Sequence, residues 1–432
     1  MSLGKDFFFN VFKIAGSTTI AQGVGILTIP IFSRLFTPEI VGQYAIFTSL
    51  VGILAVFGSG RYELALMLPQ EKKRAMNILK GALGIAFIWS FLLLLIISFC
   101  RDIIQIKSFT NIRPYLILIP FAVFLTCYNR ILLYWFNREK RFGTNALLNI
   151  LNSGGTKIAN VGVGFIGWIS VSTLIFVNLI MLICECILRL IACRKTNVIW
   201  TEFSYKEIKE ELIRYKKFPL LDSWNGLLDT ASLLIVPIML SCYFSDVDVG
   251  LYSQSLTLVQ LPVVLIASAL GQVFFQRLSE AKYTGEMRQV IADTFAILLQ
   301  IGIPVFLVIF LWGKEIFTFF LGERWAMSGT YAEILAPWCC LKLCFSPLSS
   351  IFSVLERQGI ALFLTITIIL TRVIAIVIGG VYNNIYLSIL LFGISGVLVN
   401  LLGLLIIMLL SKQKYSNLLD AFCKSPLSIF RK

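Results

Sequence analysis

Long apolar runs separated by short polar segments fill almost the whole chain. Each run has roughly the 20 residues that a helix needs to cross the hydrocarbon core of a bilayer. The runs fall at about residues 14–34, 41–60, 78–99, 115–136, 146–168, 171–193, 218–241, 250–274, 291–312, 331–352, 360–382 and 386–410. The pattern predicts an all-α integral membrane protein with about twelve transmembrane helices, the fifth and sixth separated by a short break at residues 169–172.

The composition excludes a soluble protein. Of the 432 residues, 58% are hydrophobic and 14% are charged, and the mean hydropathy is +0.87. Soluble domains carry roughly 25% charged residues, so this chain lacks the polar surface to cover its core in water. Histidine, the commonest zinc ligand and catalytic base, is absent, and most of the ten cysteines lie in apolar runs. We therefore expect no metal and no cofactor.

The net charge of +14 is spread over alternate loops rather than over one face of a polar domain. This distribution excludes a nucleic-acid partner and follows the positive-inside rule of membrane proteins. If the N-terminus is cytoplasmic, the inner segments hold 26 of the 37 basic residues and the outer segments hold 6. We therefore predict that both termini are cytoplasmic.

The chain also repeats itself. The segment Leu27–Tyr44 returns as Leu234–Tyr252, and Gly42 matches Gly250. An even number of spans in each repeat predicts two parallel six-helix bundles around a central cavity, which suggests alternating access. We expect a first bundle over residues 1–200, a cytoplasmic basic linker over 201–217, a second bundle over 218–411 and a cytoplasmic basic tail over 412–432.

Three segments carry a family resemblance. They are Ala21–Tyr44, Gly60–Ala65 with the basic run that follows it, and Gly313–Trp325 in a predicted outer loop. In order and spacing they resemble the polysaccharide or O-antigen flippases (Wzx-type) of the multidrug/oligosaccharidyl-lipid/polysaccharide exporter superfamily, and the resemblance covers nearly the whole chain.

The resemblance implies a function that is not enzymatic. The substrate would be an undecaprenyl-pyrophosphate-linked oligosaccharide, an O-antigen or related repeat unit for lipopolysaccharide or another surface polysaccharide. The protein would move it from the cytoplasmic to the periplasmic face of the bacterial inner membrane. The implied partners are membrane lipids, a polysaccharide polymerase and a chain-length regulator.

Basic residues inside predicted spans are candidate substrate contacts. A charge near the bilayer centre costs at least ~2.5–3.5 kcal/mol, so it usually faces a cavity or a partner. Cations lining a wet path would offset the cost of desolvating a pyrophosphate. The alternative is a buried ion pair with Glu185 or Asp229 that fixes helix packing. The candidates inside the spans are Arg130, Lys157, Lys342 and Arg372.

Two further cations lie at span ends. Arg34 ends span one at the predicted outer surface, where it either helps to close an outer gate or reaches into the lipid head groups. Arg61 begins an amphipathic inner segment, Tyr62–Met67, that also carries Glu63. Substrate contact and structural anchoring of this segment at the interface are both open for Arg61.

Carboxylates in the spans are candidate ion-coupling residues. Asp222, Asn225 and Asp229 have the spacing i, i+3 and i+7, which places them on one face of span seven. Together with Glu185 in span six, these carboxylates are the ordinary proton carriers of a chain without histidine, and Na⁺ is the other candidate ion. The alternative for Asp222 is a wet position at the inner interface.

Two competing functions remain open. An ion-coupled multidrug exporter of the same superfamily would need a carboxylate-rich cavity for cationic drugs, whereas the mid-depth charges here are mostly basic. An O-antigen polymerase or membrane glycosyltransferase would carry catalytic residues on a large outer loop, and no predicted outer loop is that long. The dinucleotide-like glycines Gly162, Gly164 and Gly167 lie in an apolar span, where close helix packing explains them better.

Overall fold

A computed structural model describes residues 22–100, 110–194, 204–266, 286–355 and 357–412, with positions 274, 277, 278 and 281 between them. All regular secondary structure in these ranges is helical. The predicted cytoplasmic termini lie outside the described residues. The contacts of the chain divide it into two compact units, Met1–Gly250 and Leu251–Lys432. The predicted bundle boundaries, at residues 200 and 218, stay a prediction.

The first unit contains the predicted spans one to seven. Its helices are α1 (residues 22–35), α2 (Pro38–Gly58), α3 (Tyr62–Ala65), α4 (Lys72–Cys100), α5 (Ile119–Arg138), α6 (Phe142–Asn149), α7 (Gly155–Phe165), α8 (Val171–Arg194), α9 (Tyr205–Arg214), α10 (Ser223–Tyr243) and the first turn of α11 (Asp246–Val259). A 3₁₀ turn precedes α5, and π-helical segments at Ile150–Gly154 and Phe218–Asp222 lead into α7 and α10. The short break predicted between spans five and six is confirmed after Phe165.

The second unit contains the rest of α11 and the remaining predicted spans. Its helices are α12 (described over residues 261–266), α13 (Met287–Leu321), α14 (Ala326–Leu348), α15 (Ile351–Val354), α16 (Gln358–Val381) and α17 (Ile385–Leu410). Buried residues of α13, α14 and α17 form much of its core.

The prediction that a loop begins at Gly313 is wrong, because α13 continues as a helix to Leu321. The backbone leaves helical geometry at Trp312 (φ −132°, ψ 22°) and then resumes it. Glycines explain the close contact that follows. An ideal Cβ on Gly313 would lie 2.9 Å from the carbonyl oxygen of Gly329, so α13 and α14 meet main chain to main chain. The sequence pattern did not predict this extra helical stretch.

In the described part of the chain, nine helical segments are long and apolar enough to cross a membrane. They are Pro38–Gly58, Lys72–Phe99, Arg113–Arg138, Val171–Cys193, Phe218–Tyr243, Asp246–Ile266, Met287–Leu321, Gln358–Val381 and Ile385–Leu410. The other three predicted spans are helical as well, in α1, in residues 142–165 and in α14. All of these helices except Pro38–Gly58 also expose at least one large apolar side chain, which lipid can cover. The protein is therefore a multi-pass membrane protein.

The helix α2 packs along α10, and this seam positions several candidate residues. Near its middle, Gly52 leaves room for the side chain of Leu234, which would overlap any Cβ at that position. Nearer the predicted inner end, the ring of Phe57 meets Trp224 edge to face, with ring centroids 5.6 Å apart. The inner end of α10 therefore lies beside the turn that follows α2.

Candidate functional site

Arg61 lies against the face of span seven that carries the predicted coupling carboxylates. An ideal Cβ on Gly226 would be 2.7 Å from Cζ of Arg61, so the glycine makes room for the guanidinium group. Gly226 follows Asp222 by four residues and precedes Asp229 by three, which is the same helical face. Nε of Arg61 is buried without a hydrogen-bond partner among the described residues. The structure thus brings three predicted site residues together.

A left-handed turn aims Arg61 at α10. Gly60 has a φ of 56° and Arg61 a φ of 58°, so the chain reverses immediately after α2. Asp222 is half-buried and Asp229 is exposed. Neither carboxylate is within ion-pair distance of a cation in the described part of the chain. The cluster therefore combines a cation and two carboxylates whose charges are not used in fixed pairs.

Glu63 is buried, although the sequence pattern favoured an interfacial anchor. Its side chain has no exposed surface. The Ser59 hydroxyl donates to one carboxylate oxygen, and the other oxygen has no hydrogen-bond partner among the described residues. The Tyr62 hydroxyl donates to the carbonyl oxygen of Leu212 at 2.8 Å, and burial raises the pKa of Tyr62. This inner segment is therefore packed into the first unit.

Two other predicted cations of this unit occupy different settings. Arg130 donates from Nη1 to the carbonyl oxygen of Ala55 at 3.4 Å, close to the inner end of α2. Arg34 lies in the last turn of α1 and is exposed, as snorkelling into head groups requires. The structure does not bring either of them into the Arg61 cluster.

The ammonium group of Lys157 lies directly on the backbone of α1. A Cβ on Gly25 would overlap Nζ and would be 3.1 Å from Cε of Lys157. The side chain is half-buried, and no hydrogen bond or ion pair involves it in the described part of the chain. Among the candidates inside the spans, Lys157 is thus a cation whose charge is not neutralised by a described carboxylate.

Glu185 is part of a complete network in which its partner is Arg189 rather than Lys157 or Arg372. Arg189, one turn later in α8, donates to Oε1 of Glu185 from Nε at 3.0 Å and from Nη2 at 2.7 Å. Asn152 donates to the other carboxylate oxygen, and Asn145 accepts from Nη1 of Arg189 at 2.9 Å. Both charged side chains are buried. Sequence reasoning missed Arg189, although its i+4 spacing from Glu185 was a usable signal.

In the second unit, Lys342 and Arg372 meet at the ring of Trp338. The guanidinium carbon of Arg372 is 5.1 Å from the Trp338 ring centroid and 4.9 Å from that of Phe392. Nζ of Lys342 is 5.2 Å from the Trp338 ring centroid and donates to Oε1 of Gln260 at 3.3 Å. Arg372 is 2% exposed. Sequence reasoning missed these aromatic residues, although Trp338 precedes Lys342 by four residues and so shares its helical face.

Several long apolar helices define the protein as a polytopic membrane protein, and its fold is similar to that of solved transporter structures. The structure of lipid II flippase MurJ in an inward closed conformation matches with a TM-score of 0.75 and 14% identity, covering 97% of this chain and 91% of that chain. A multidrug resistance MATE family transporter of the MOP superfamily, in an inward-facing conformation, matches with a TM-score of 0.71 and 15% identity, over 93% and 98% of the two chains. A MOP superfamily transporter from Pyrococcus furiosus matches with a TM-score of 0.63 and 14% identity, covering 93% of this chain and 95% of that chain.

A family model described as "Polysaccharide biosynthesis protein" matches residues 31–329. The match covers more than half of the chain, so the protein belongs to this family. A search of curated protein sequences gives no match. The resemblance drawn from the sequence motifs is therefore confirmed at the level of family and fold, and the fold relatives are transporters and flippases rather than enzymes.

Proposed function

We propose that the protein is a flippase for undecaprenyl-pyrophosphate-linked oligosaccharide, an O-antigen or related surface polysaccharide unit. It would carry this substrate by alternating access from the cytoplasmic to the periplasmic face of a bacterial inner membrane, with both termini cytoplasmic. A polysaccharide polymerase and a chain-length regulator would receive and use the product. The family match and the transporter fold support this class of function.

The observation that carries the proposal is that Lys157, inside a predicted span, has no carboxylate partner in the described part of the chain. A cation in a membrane span needs a partner, and no described carboxylate supplies one. The pyrophosphate of a lipid-linked sugar would provide this partner during passage. A cationic drug would be repelled at the same position, which favours the anionic substrate over the drug-exporter alternative.

The other predicted residues divide by accessibility. We propose that Arg61 offers a second cation to the head group near the inner end. Asp222 and Asp229 are proposed to bind the coupling H⁺ or Na⁺, because their charges are not held by described cations. Glu185 is less suited to this role, since Arg189 and Asn152 already occupy its two oxygens.

We propose the four remaining predicted cations as further substrate contacts, two of which are enclosed in this structure. Lys342 and Arg372 reach an anion only if the packing around Trp338 rearranges, because Arg372 is enclosed by two rings. Arg34 is at the end of its span and Arg130 lies inside its span toward the inner end, so both can meet a head group on entry or exit. These roles rest on charge and depth.

The test uses proteoliposomes that contain a lipid-linked pyrophosphoryl oligosaccharide. A membrane-impermeant sugar-binding probe follows the arrival of the sugar at the opposite leaflet. Lys157→Ala should lower the initial rate at least about tenfold, because a hydrogen bond to a charged group is worth about 1.5–3 kcal/mol. Lys157→Arg should retain most of the rate, and Arg324→Ala, at an exposed position, is the matched control.

Three results would overturn parts of the proposal. A parent-like rate for folded Lys157→Ala would remove this residue from the path. Absence of translocation with any tested glycan, together with efflux of a cationic dye, would assign the protein to drug export. A change in sugar chain length by the purified protein would make it an enzyme. Arg372→Ala is measured in the same assay together with its melting temperature. Because Arg372 is buried, a lower rate counts as loss of substrate contact only if this variant melts like the parent.

A further inference from the structure

The segment predicted as a basic linker contains an amphipathic helix, α9, whose two faces differ in chemistry. Ser204 accepts a hydrogen bond from the backbone of Glu207 at 3.5 Å and so caps its N-terminus. The helix ends at Arg214, and the π-helical segment that leads into span seven begins at Phe218. The helix therefore lies next to the point where the chain enters the membrane.

One face of α9 is docked on the first unit and uses its acidic residues there. Glu207 accepts from Lys73 at 2.7 Å, and Glu211 accepts from Arg74 at 2.6 Å. An ideal Cβ on Gly81 of α4 would be 2.8 Å from the side chain of Leu212, so this leucine packs closely on the helix at the glycine. The negative charges of α9 are therefore largely neutralised on the protein side.

The opposite face is exposed and basic, and apolar side chains are interspersed in it. Tyr205 is 71% exposed and Ile213 is 53% exposed. The π-helical segment continues the apolar character with Leu220 and Leu221, each 61% exposed. Glu210 is the one exposed acid between Tyr205 and Lys217. The exposed basic residues of the stretch are Lys206, Lys209, Arg214, Lys216 and Lys217.

We propose that this exposed face of α9 and the two lysines after it bind anionic phospholipid head groups of the adjacent leaflet. Basic residues directly beside a membrane span attract acidic lipids, and interspersed apolar side chains insert at the boundary of head groups and acyl chains. Charge complementarity and continuity with span seven both favour a bilayer as the occupant. Bound lipid would hold α9 between the leaflet and α4. The inference does not depend on the proposed substrate.

The test measures lipid retention by the full chain. Protein purified in detergent with equal amounts of phosphatidylglycerol and phosphatidylcholine is analysed by native mass spectrometry. The parent should retain phosphatidylglycerol in preference to phosphatidylcholine. The triple variant Lys206→Gln, Lys209→Gln, Arg214→Gln should lose about a hundredfold of this preference, because each of the three surface charges contributes a factor of about five.

Two comparisons make the result specific. The double variant Lys314→Gln, Arg324→Gln removes two exposed charges near the C-terminal end of α13, away from α9 in the chain. It should leave the preference for phosphatidylglycerol unchanged. Salt at about 1 M should abolish the parent's preference, because the Debye length falls to about 3 Å. A triple variant that melts like the parent and still selects phosphatidylglycerol overturns the proposal. The proposal is also overturned if the control variant with Lys314→Gln and Arg324→Gln loses the preference to the same extent.

Discussion

The main chains of Gly42 in α2 and Gly250 in α11 lie directly against each other. An ideal Cβ on Gly42 would be 2.8 Å from the amide nitrogen of Gly250, and one on Gly250 would be 2.9 Å from the amide nitrogen of Gly42. Each Cβ would also overlap a carbonyl oxygen of the facing helix start, that of Asp246 or that of Pro38. The two glycines are equivalent positions of the sequence repeat, so the repeat is also a reciprocal contact.

Gly42→Ala should therefore destabilise the protein, since the added methyl group overlaps the carbonyl oxygen of Asp246. Overpacking of this kind costs typically about 1–3 kcal/mol. The measurement is the melting temperature in detergent. Gly84→Ala in α4 is the control, because open space surrounds that position and alanine favours a helix. Equal melting temperatures of the two variants would contradict the packing argument.

Removing one partner of the buried pair Glu185–Arg189 should be costly. Arg189→Met leaves a carboxylate buried without its cation, for which a loss of about 3–5 kcal/mol is expected. The double variant Glu185→Met, Arg189→Met removes both charges and should recover most of that loss. Thermal unfolding of the single and double variants measures the difference. A double variant no more stable than Arg189→Met would contradict this explanation, because the lone buried carboxylate would then not be the source of the loss.

The contact of Arg372 with the rings of Trp338 and Phe392 predicts that lysine is a poor substitute there. Lysine keeps the positive charge but lacks the broad guanidinium group that reaches both rings. Arg372→Lys should lower stability by about 2 kcal/mol, the scale of a desolvated cation–π contact. The exposed control Arg324→Lys should melt like the parent. If Arg372→Lys does so too, the charge alone is what matters at this position.

The docking of α9 should depend on pH in a defined direction. The hydrogen bond from Lys73 lowers the pKa of Glu207 most, and the hydrogen bond from Asn77 lowers it further. The contact is therefore fully present above the ordinary carboxyl pKa, and it is lost as pH falls through the lowered value. Hydrogen exchange of residues 205–214, corrected for intrinsic rates, follows the loss.

Variants of α9 test the same contact at neutral pH. Glu207→Gln should raise the exchange of α9 at pH 7 toward the acid level, because the neutral amide cannot replace the charge-assisted bond. Glu210→Gln, on the exposed face of the same helix, should leave exchange unchanged. Identical exchange in both variants would mean that Glu207 does not hold the helix.

The sequence by itself determined the membrane-spanning class of the protein, the approximate placement of most spans and the family. Span length and apolar content are local properties of the chain, so a window of about 20 residues reveals them. The short motifs from Ala21 to Tyr44 and from Gly60 to Ala65 are likewise local in the chain. The predicted charges at depth were also present in the sequence, because a lysine or arginine in an apolar run is conspicuous.

Only the tertiary structure decided which of these groups meet. Lys342 and Arg372 lie on different helices, and Trp338 joins them because of how α14, α16 and α17 pack. The burial of Glu63 was hidden for the same reason. A helix that is apolar on all sides has no pattern to show which side faces protein and which faces lipid. The rotation of such a helix about its axis is set by how its surface fits its neighbours, for example where glycine lets two backbones touch. That contact forms only when both helices are in place.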